Sequence, residues 1–257
     1  MVTINKLSYR FGKKDLLHDI SYRFRPGVLN LIIGPNGAGK STLIKMISRQ
    51  LPAPTGTILY GKQPIHCFSP NSLAKMRAVL SQQVDLVFPM QVEEVVLMGR
   101  YPYFNGKPAR EDYRVCQDVI TYFDLGKLVG RNYNTLSGGE KQRVHFARVL
   151  AQIWNKKDTE LRYLLLDEPL TFLDIYYQFN FLQKLKELMQ QQPLVVVGVI
   201  HDLHLAARFA EELVLLKEGS ILASGTVNEV LSKENIQDGF GIEWTNVFTS
   251  FLHVSDT

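Results

Sequence analysis

Residues Gly34 to Thr42 read GPNGAGKST and lie directly behind the apolar run Val28 to Ile33. Gly34, Gly37 and Gly39 permit backbone conformations that a side chain forbids, so successive N–H groups can converge on phosphate oxygens. Asn36 and Ala38 complete the loop. Lys40 adds a point charge for the β- and γ-phosphates, Ser41 offers a hydroxyl to Mg²⁺, and Thr42 offers another to the phosphates. A helix beginning near Lys40 would turn its positive end toward the same anion. The context fits: LNLII has the density of a buried parallel strand, and Leu43, Ile44 and Ile47 recur at helical spacing. The chemistry expected here is the binding of a nucleoside triphosphate.

Two further stretches carry groups suited to that chemistry. YLLLDE, Tyr163 to Glu168, sets two carboxylates at the end of a hydrophobic strand. In a phosphate site Asp167 would hold Mg²⁺, directly or through its water shell, and Glu168 would orient or deprotonate the attacking water. Seen alone, the same residues describe a strand and a polar turn. LSGGE, Leu136 to Glu140, has Ser137 suited to capping a helix, with Gly138 and Gly139 leaving the first N–H groups bare. It reads equally as a plain cap or as a second anion site at a helix N-terminus.

The elements that must position these groups follow from periodicity. Val2–Tyr9 and Ile20–Arg25 alternate as strands around a turn at Gly12 and Lys13, predicting an antiparallel layer. Strand-like runs at 57–60 and Arg77–Leu80 are read toward a parallel core. From Val92 to about Ile153 the spacing turns helical, predicting a helical lobe. Strand and helix then alternate through Tyr163–Leu166, Leu173–Gln190, Leu194–Ile200, Asp202–Ala210 and Leu213–Leu216, with a short helix at Val227–Leu231. Such alternation argues for a parallel sheet covered by helices, whose ligands sit at the carboxyl ends of the strands. Gly34, Gln82, Asp167 and His201 all follow strand-like runs.

Composition narrows the class. At 257 residues and 46% hydrophobic content the chain suits one large α/β domain or a domain with a smaller lobe. Its longest apolar run, near Leu194–Ile200, is far short of the roughly 18 residues that would span a bilayer. The opening MVTINKLSYRF lacks the layout of a signal peptide. Cys67 and Cys116 stand far apart, in keeping with a reducing cytoplasm. A net charge of +4, scattered along the chain, gives no reason to expect nucleic acid. His201 and His204 have no third ligand nearby in sequence, so zinc is not expected.

GPNGAGKST, Gln82, LSGGEKQR, LLLDEP and His201 occur in the order and spacing of an ATP-binding-cassette ATPase, and the resemblance covers nearly the whole chain. It implies an α/β fold of P-loop NTPase type, with a RecA-like core, an antiparallel β layer and a helical subdomain. Within one domain over 1–257, the core would be 1–84 and 156–225, the helical subdomain 85–155, and a C-terminal extension 226–257. It implies ATP and Mg²⁺ as ligands, with Ser41, Gln82 and Asp167 toward the metal. It favours the anion-site reading of Ser137, Gly138 and Gly139, which would meet ATP held by a second copy in a homodimer. Gln82 would sense the membrane partner, His201 would contact the γ-phosphate, and Asp174 would communicate across the dimer. With Lys40 and Glu168, Gln82 and His201 complete the expected catalytic set. Phe11 or Tyr9 would stack on adenine, Phe11 having the usual spacing. One departure stands out: Leu170, Thr171 and Phe172 replace the family's usual Thr-Ser-Ala before Leu173 and Asp174.

SLAKMRAVLSQQ, FPMQVEEVVLMGRYPY and GTVNEVL resemble the ATPases of bacterial importers for ferric siderophores, heme and cobalamin. ARVLAQIW, followed by a hydrophilic insertion before RYLLLDEP, is most similar to the heme-import group. The resemblance implies a peripheral protein on the cytoplasmic face of the bacterial inner membrane. It would dock two separate permease subunits near Gln82–Tyr103 and be served indirectly by a periplasmic or lipoprotein substrate-binding protein. The alternative is a soluble ABC ATPase acting as an assembly or regulatory factor, which would not co-purify with membrane subunits.

Overall fold

The computed structural model describes residues 1–81, 88–154 and 160–243. Its elements run β1 (Val2–Phe11), β2 (Lys14–Phe24), β3 (Leu29–Ile33), α1 (Lys40–Ile47), β4 (Thr55–Tyr60), β5 (Gln63–Pro64), α2 (Pro70–Met76), β6 (Arg77–Leu80), α3 (Val92–Leu97), α4 (Arg110–Tyr122), α5 (Gly138–Ile153), β7 (Arg162–Asp167), α6 (Ile175–Gln191), β8 (Leu194–Val199), α7 (Leu203–Phe209), β9 (Glu212–Lys217), β10 (Ser220–Gly225), α8 (Val227–Val230) and α9 (Lys233–Phe240). They form two compact units, Met1–Cys67 with Val195–Thr257, and Phe68–Leu194.

In the first unit, β3 is buried at every position and pairs in parallel with both β8 and β9, while β10 folds back antiparallel on β9. Burial on both faces explains why LNLII reads as a continuous apolar run. Its one polar member, Asn30, is fully buried and makes its own case. Its amide donates to the carbonyls of Arg25, Val28 and Val196 and accepts from the Arg25 N–H. Both ends of the amide thus have partners, which offsets the cost of burying it.

The expected antiparallel layer is present and larger than expected: β2, β1, β4 and β5 lie in that order. The run at 57–60 belongs to this layer, because β4 pairs antiparallel with β1. The hairpin turn falls at Gly12 and Lys13 as the sequence indicates, and Gly12 takes a positive φ of 59°.

In the second unit, β6 and β7 pair in parallel, with Arg77 to Leu80 opposite Tyr163 to Leu166. The helices pack by aromatic and polar contacts. Phe146 stacks on Phe181 with ring centroids 3.8 Å apart, and Phe123 lies 6.3 and 6.4 Å from those rings. A buried ion pair joins Arg100 to Asp112 at 3.0 Å. The Arg100 guanidinium also donates to the Ala151 carbonyl and lies 3.6 Å from the Tyr103 ring centroid. These extra partners offset the desolvation that would otherwise cancel the Coulombic gain.

Beside this pair, Gly99 presses on α5: a Cβ there would lie 2.1 Å from the Arg148 carbonyl oxygen. Gly99→Ala should therefore lower stability by about 1–3 kcal/mol, read as a shift of the urea midpoint at constant slope. An unchanged midpoint would show that the backbone gives way freely at this crossing.

Candidate functional site

The phosphate-loop residues lie in the first unit, where two neighbouring strands deliver them to one sheet edge. β3 ends at Ile33 and passes into Gly34, while β8 ends at Val199 and passes through Ile200 to His201. The strands are parallel, Ile32 lies opposite Val199, and the Ile200 N–H donates to the Ile32 carbonyl at 3.2 Å. His201 is exposed and emerges beside the loop's strand, at the carboxyl edge where α/β sheets bind ligands.

The loop's shape is imposed from outside. Gly34 has φ +144°, and a Cβ there would lie 2.2 Å from the Leu216 carbonyl oxygen. Gly39 has φ +98°, and its Cβ would lie 2.7 Å from the Leu16 carbonyl oxygen. The Gly219 N–H donates to the Ala38 carbonyl at 3.1 Å, and the His18 N–H donates to the Gly219 carbonyl at 2.8 Å. Strands β2 and β9 and the β9–β10 turn thus mould the loop between them. Gly37 differs: nothing lies within 4 Å of where its Cβ would be, and with Asn36 it is exposed.

Lys40 is 5% exposed, and its ammonium is bonded at 2.8 Å to the carbonyls of Gly34 and Pro35. A buried cation is thereby held over the loop. Helix α1 opens behind Gly39 with no side-chain cap, so its first turn lacks the usual acceptor at that end. Ser41 and Thr42 sit half-buried in this turn. Backbone N–H groups at a helix start with no side-chain cap, the helix dipole, a cation and two hydroxyls form a donor set that fits a chain of phosphates. Phe11 ends β1 beside the hairpin turn and is 72% exposed, whereas Tyr9 is half-buried opposite Leu17.

The carboxylates and the glycine-rich helix start belong to the second unit. Asp167 closes β7 and is 4% exposed. Glu168 follows with φ +52°, a left-handed conformation unusual for a residue with a side chain. The chain then turns through Leu170, Thr171 and Phe172, the last also left-handed at φ +69°, before Asp174 caps α6 by accepting the Tyr177 N–H at 3.0 Å. Ser137 caps α5 by accepting the Glu140 N–H, and the Ser137 N–H donates in turn to the Glu140 carboxylate at 2.8 Å. The unit brings these two stretches together: a Cβ on Gly138 would lie 3.5 Å from the Phe172 Cβ, and one on Gly139 would lie 3.1 Å from the Phe172 carbonyl oxygen. Gln82 lies outside the described residues.

The expectations drawn from sequence assign nothing to Leu16, Gly219 or Gln142. The first two brace the phosphate loop from far along the chain and carry no local signal. Gln142 stands inside the quoted LSGGEKQR and donates to the Pro169 carbonyl at 2.8 Å.

A family model described as ABC transporter matches residues 17–171, more than half of the chain. The chain belongs to the ABC transporter family. It is an ATPase. Among relatives of this ABC ATPase, the hemin import ATP-binding protein HmuV of Hahella chejuensis is 40% identical over 231 residues, covering 90% of this chain and 89% of the relative. The HmuV of Pseudomonas fluorescens is 41% identical over 243 residues, covering 95% and 93%. Among solved structures, an ABC transporter in an inward-facing conformation matches with a TM-score of 0.79 and 26% identity, over 94% of this chain and 89% of that one. An isolated cassette of another ABC transporter matches with a TM-score of 0.81 at 22% identity, over 94% and 97%, a likeness of fold. Among the described residues of this ABC ATPase no helix is long and apolar enough to cross a membrane.

The cap on α5 gives a pH test. The Ser137 N–H, with the Ser137 hydroxyl and Arg131 adding to it, holds the Glu140 carboxyl below the usual glutamate range. A carboxyl lowered on folding contributes stability that is fully present above its unfolded value, near 4.3, and is lost as pH falls through the folded value. Glu140→Gln keeps the shape and removes the titration. The stability gap between wild type and Glu140→Gln should shrink between about pH 7 and about pH 3 in denaturant melts. A gap that stays constant or widens on acidification would contradict the assigned bond.

Proposed function

We propose that this ABC ATPase powers the import of heme through separate permease subunits, working as a homodimer that holds two ATP molecules between its copies. The supporting observation is the phosphate loop itself, with its buried Lys40 and the uncapped start of α1, in a chain about 40% identical over most of its length to hemin import ATP-binding proteins. In this reading residues 34–42 grip the triphosphate of one ATP, with Lys40 at the β- and γ-phosphates. Exposed Phe11 stacks on the adenine, a role to which half-buried Tyr9 is less suited. Ser137, Gly138 and Gly139 of the second copy present the start of α5 to the same γ-phosphate, the glycines leaving its backbone open to the anion.

Hydrolysis calls for three acts from the chain. Glu168 orients the attacking water and accepts its proton, and His201 contacts the γ-phosphate from the neighbouring strand end. Asp174 links the site to the opposite copy. Ser41, Asp167 and Gln82 are oxygen donors of the kind that suits Mg²⁺. When bound, Mg²⁺ would offset the negative charge of the β- and γ-oxygens.

The coupling is a shift of populations. ATP touches both copies only when they are closed, so it favours that state by the free energy of the contacts made across the dimer. Loss of the γ-phosphate removes that differential affinity. Opening and closing would then move the permeases, docked around Gln82–Tyr103 on the cytoplasmic side of the membrane. The organisation into a core of 1–84 and 156–225, a helical subdomain of 85–155 and an extension of 226–257 belongs to the same reading.

The test is Glu168→Gln. It should retain ATP binding, slow turnover roughly 10²–10³-fold and accumulate an ATP-bound dimer on gel filtration. Undiminished turnover would remove Glu168 from its role. Uptake of labelled heme by cells carrying wild-type protein, but not by cells carrying this variant, would tie the hydrolysis to the cargo.

A further inference from the structure

Gln142 has no part in the reading above, yet its surroundings are specific. On α5 it stands four residues after Gly138, so the two share one face of the helix, one turn apart. The turn after β7 lies along that face: Phe172 packs over Gly138, and the Pro169 carbonyl accepts from Gln142 Nε2 at 2.8 Å. Gln142 is 9% exposed. Because the partner is a carbonyl, the amide must present its NH₂ group, which fixes its orientation. A carboxylate there could only accept.

The turn needs such an anchor. Glu168 and Phe172 bracket it, both in the left-handed region that side chains disfavour, and such a conformation persists only where its surroundings over-determine it. Some of the bracing is local. The Thr171 hydroxyl donates to the Glu168 carbonyl at 3.1 Å, and Gln178 donates to the carbonyls of Leu170 and Leu173 at 3.3 and 3.0 Å. Gln178 stands on α6, the helix into which the turn runs. Gln142 instead reaches from α5, the helix opened by Ser137–Gly139, and its bond falls on the residue next to Glu168.

We propose that Gln142 is a positioning residue for ATP hydrolysis: by tethering the Pro169 carbonyl to α5 it holds the Glu168 carboxylate in register with the glycines that open that helix. This rests on the reading of Glu168 as the group that orients water. One amide thus makes two parts of the nucleotide machinery move as a block, so a tilt of α5 carries Glu168 with it.

Two variants of the full-length chain test this. Gln142→Met keeps the length and packing of the side chain but has no donor. It should lower kcat about 10- to 100-fold, the scale of a small misplacement of a reacting group, while leaving KM for ATP near wild type; the lost buried bond should lower the thermal midpoint only modestly. Gln142→Glu should be slow where its carboxyl is ionised. As pH falls and the carboxyl gains a proton, its O–H can donate to the same carbonyl, so its kcat relative to wild type should rise. Combining Gln142→Met with Glu168→Gln should cost nothing beyond Glu168→Gln alone, because both act through one group.

Losses of kcat that multiply in the double variant would overturn the proposal. So would a fall confined to KM or stability, or a Gln142→Glu ratio that does not move with pH. Should Gln142→Met fail to fold, the pH ratio of Gln142→Glu decides alone. Wild-type turnover by Glu168→Gln would instead fault the role of Glu168, a different outcome from any of these.

Discussion

Everything in this molecule that concerns ATP depends on a helix start that no side chain caps, held rigid so that its backbone N–H groups can face an anion. An exposed amide is ordinarily satisfied by water or by a side-chain cap, and a loop that is merely glycine-rich would not stay poised for an anion. Here the first turn of α1 has no side-chain cap, and the loop before it is moulded by backbone from β2, β9 and the β9–β10 turn. Glycine is required at 34 and 39 because carbonyl oxygens approach to where a Cβ would stand. Rigidity therefore comes from the sheet, not from the loop. Lys40, buried among loop carbonyls, is held by the same geometry.

The second helix start is built by the opposite means. Helix α5 has a full capping box from Ser137 and Glu140, and Gly138 and Gly139 lie under Phe172. The departure of this chain from its family's usual sequence falls at this place. Where small residues are the family's habit, Leu170 is buried at 7% exposure while Phe172 is 68% exposed. Leu170 thus adds to the core of the second unit, and Phe172 uses its left-handed backbone to lie across the glycines. The absence of side chains at 138 and 139 is what lets a bulky turn approach α5 this closely.

Much of this was legible in the sequence, because strand burial and phosphate chemistry both leave local marks. LNLII, RYLLLD and LVVVGV are buried at every position, and their apolar runs announce it. The hairpin turn at Gly12 and the helix starts at Lys40 and Gly138 also follow from neighbouring residues. Partnerships between distant segments left no such mark. The strand at 57–60 has nothing in its own residues to send it to β1 and not to the parallel strands. The helix Lys233–Phe240 lies beyond the short helical pattern read at Val227–Leu231, with Ser232 capping its start and Gly241 closing it at φ +70°. Gln142 could be named from its motif but not paired with Pro169, because that partner lies 27 residues away.

The most direct measurement of the central proposition, that each ATP is gripped by the phosphate loop of one copy and the α5 start of the other, is complementation between two inactive chains. Lys40→Ala disables one half-site and Ser137→Arg the other, so each should be inactive alone. A mixed dimer would rebuild one complete site from the intact halves, and the mixture should regain ATP turnover and retain nucleotide as mixed dimers form. A mixture no more active than its parents, or either variant turning over ATP normally by itself, would contradict it.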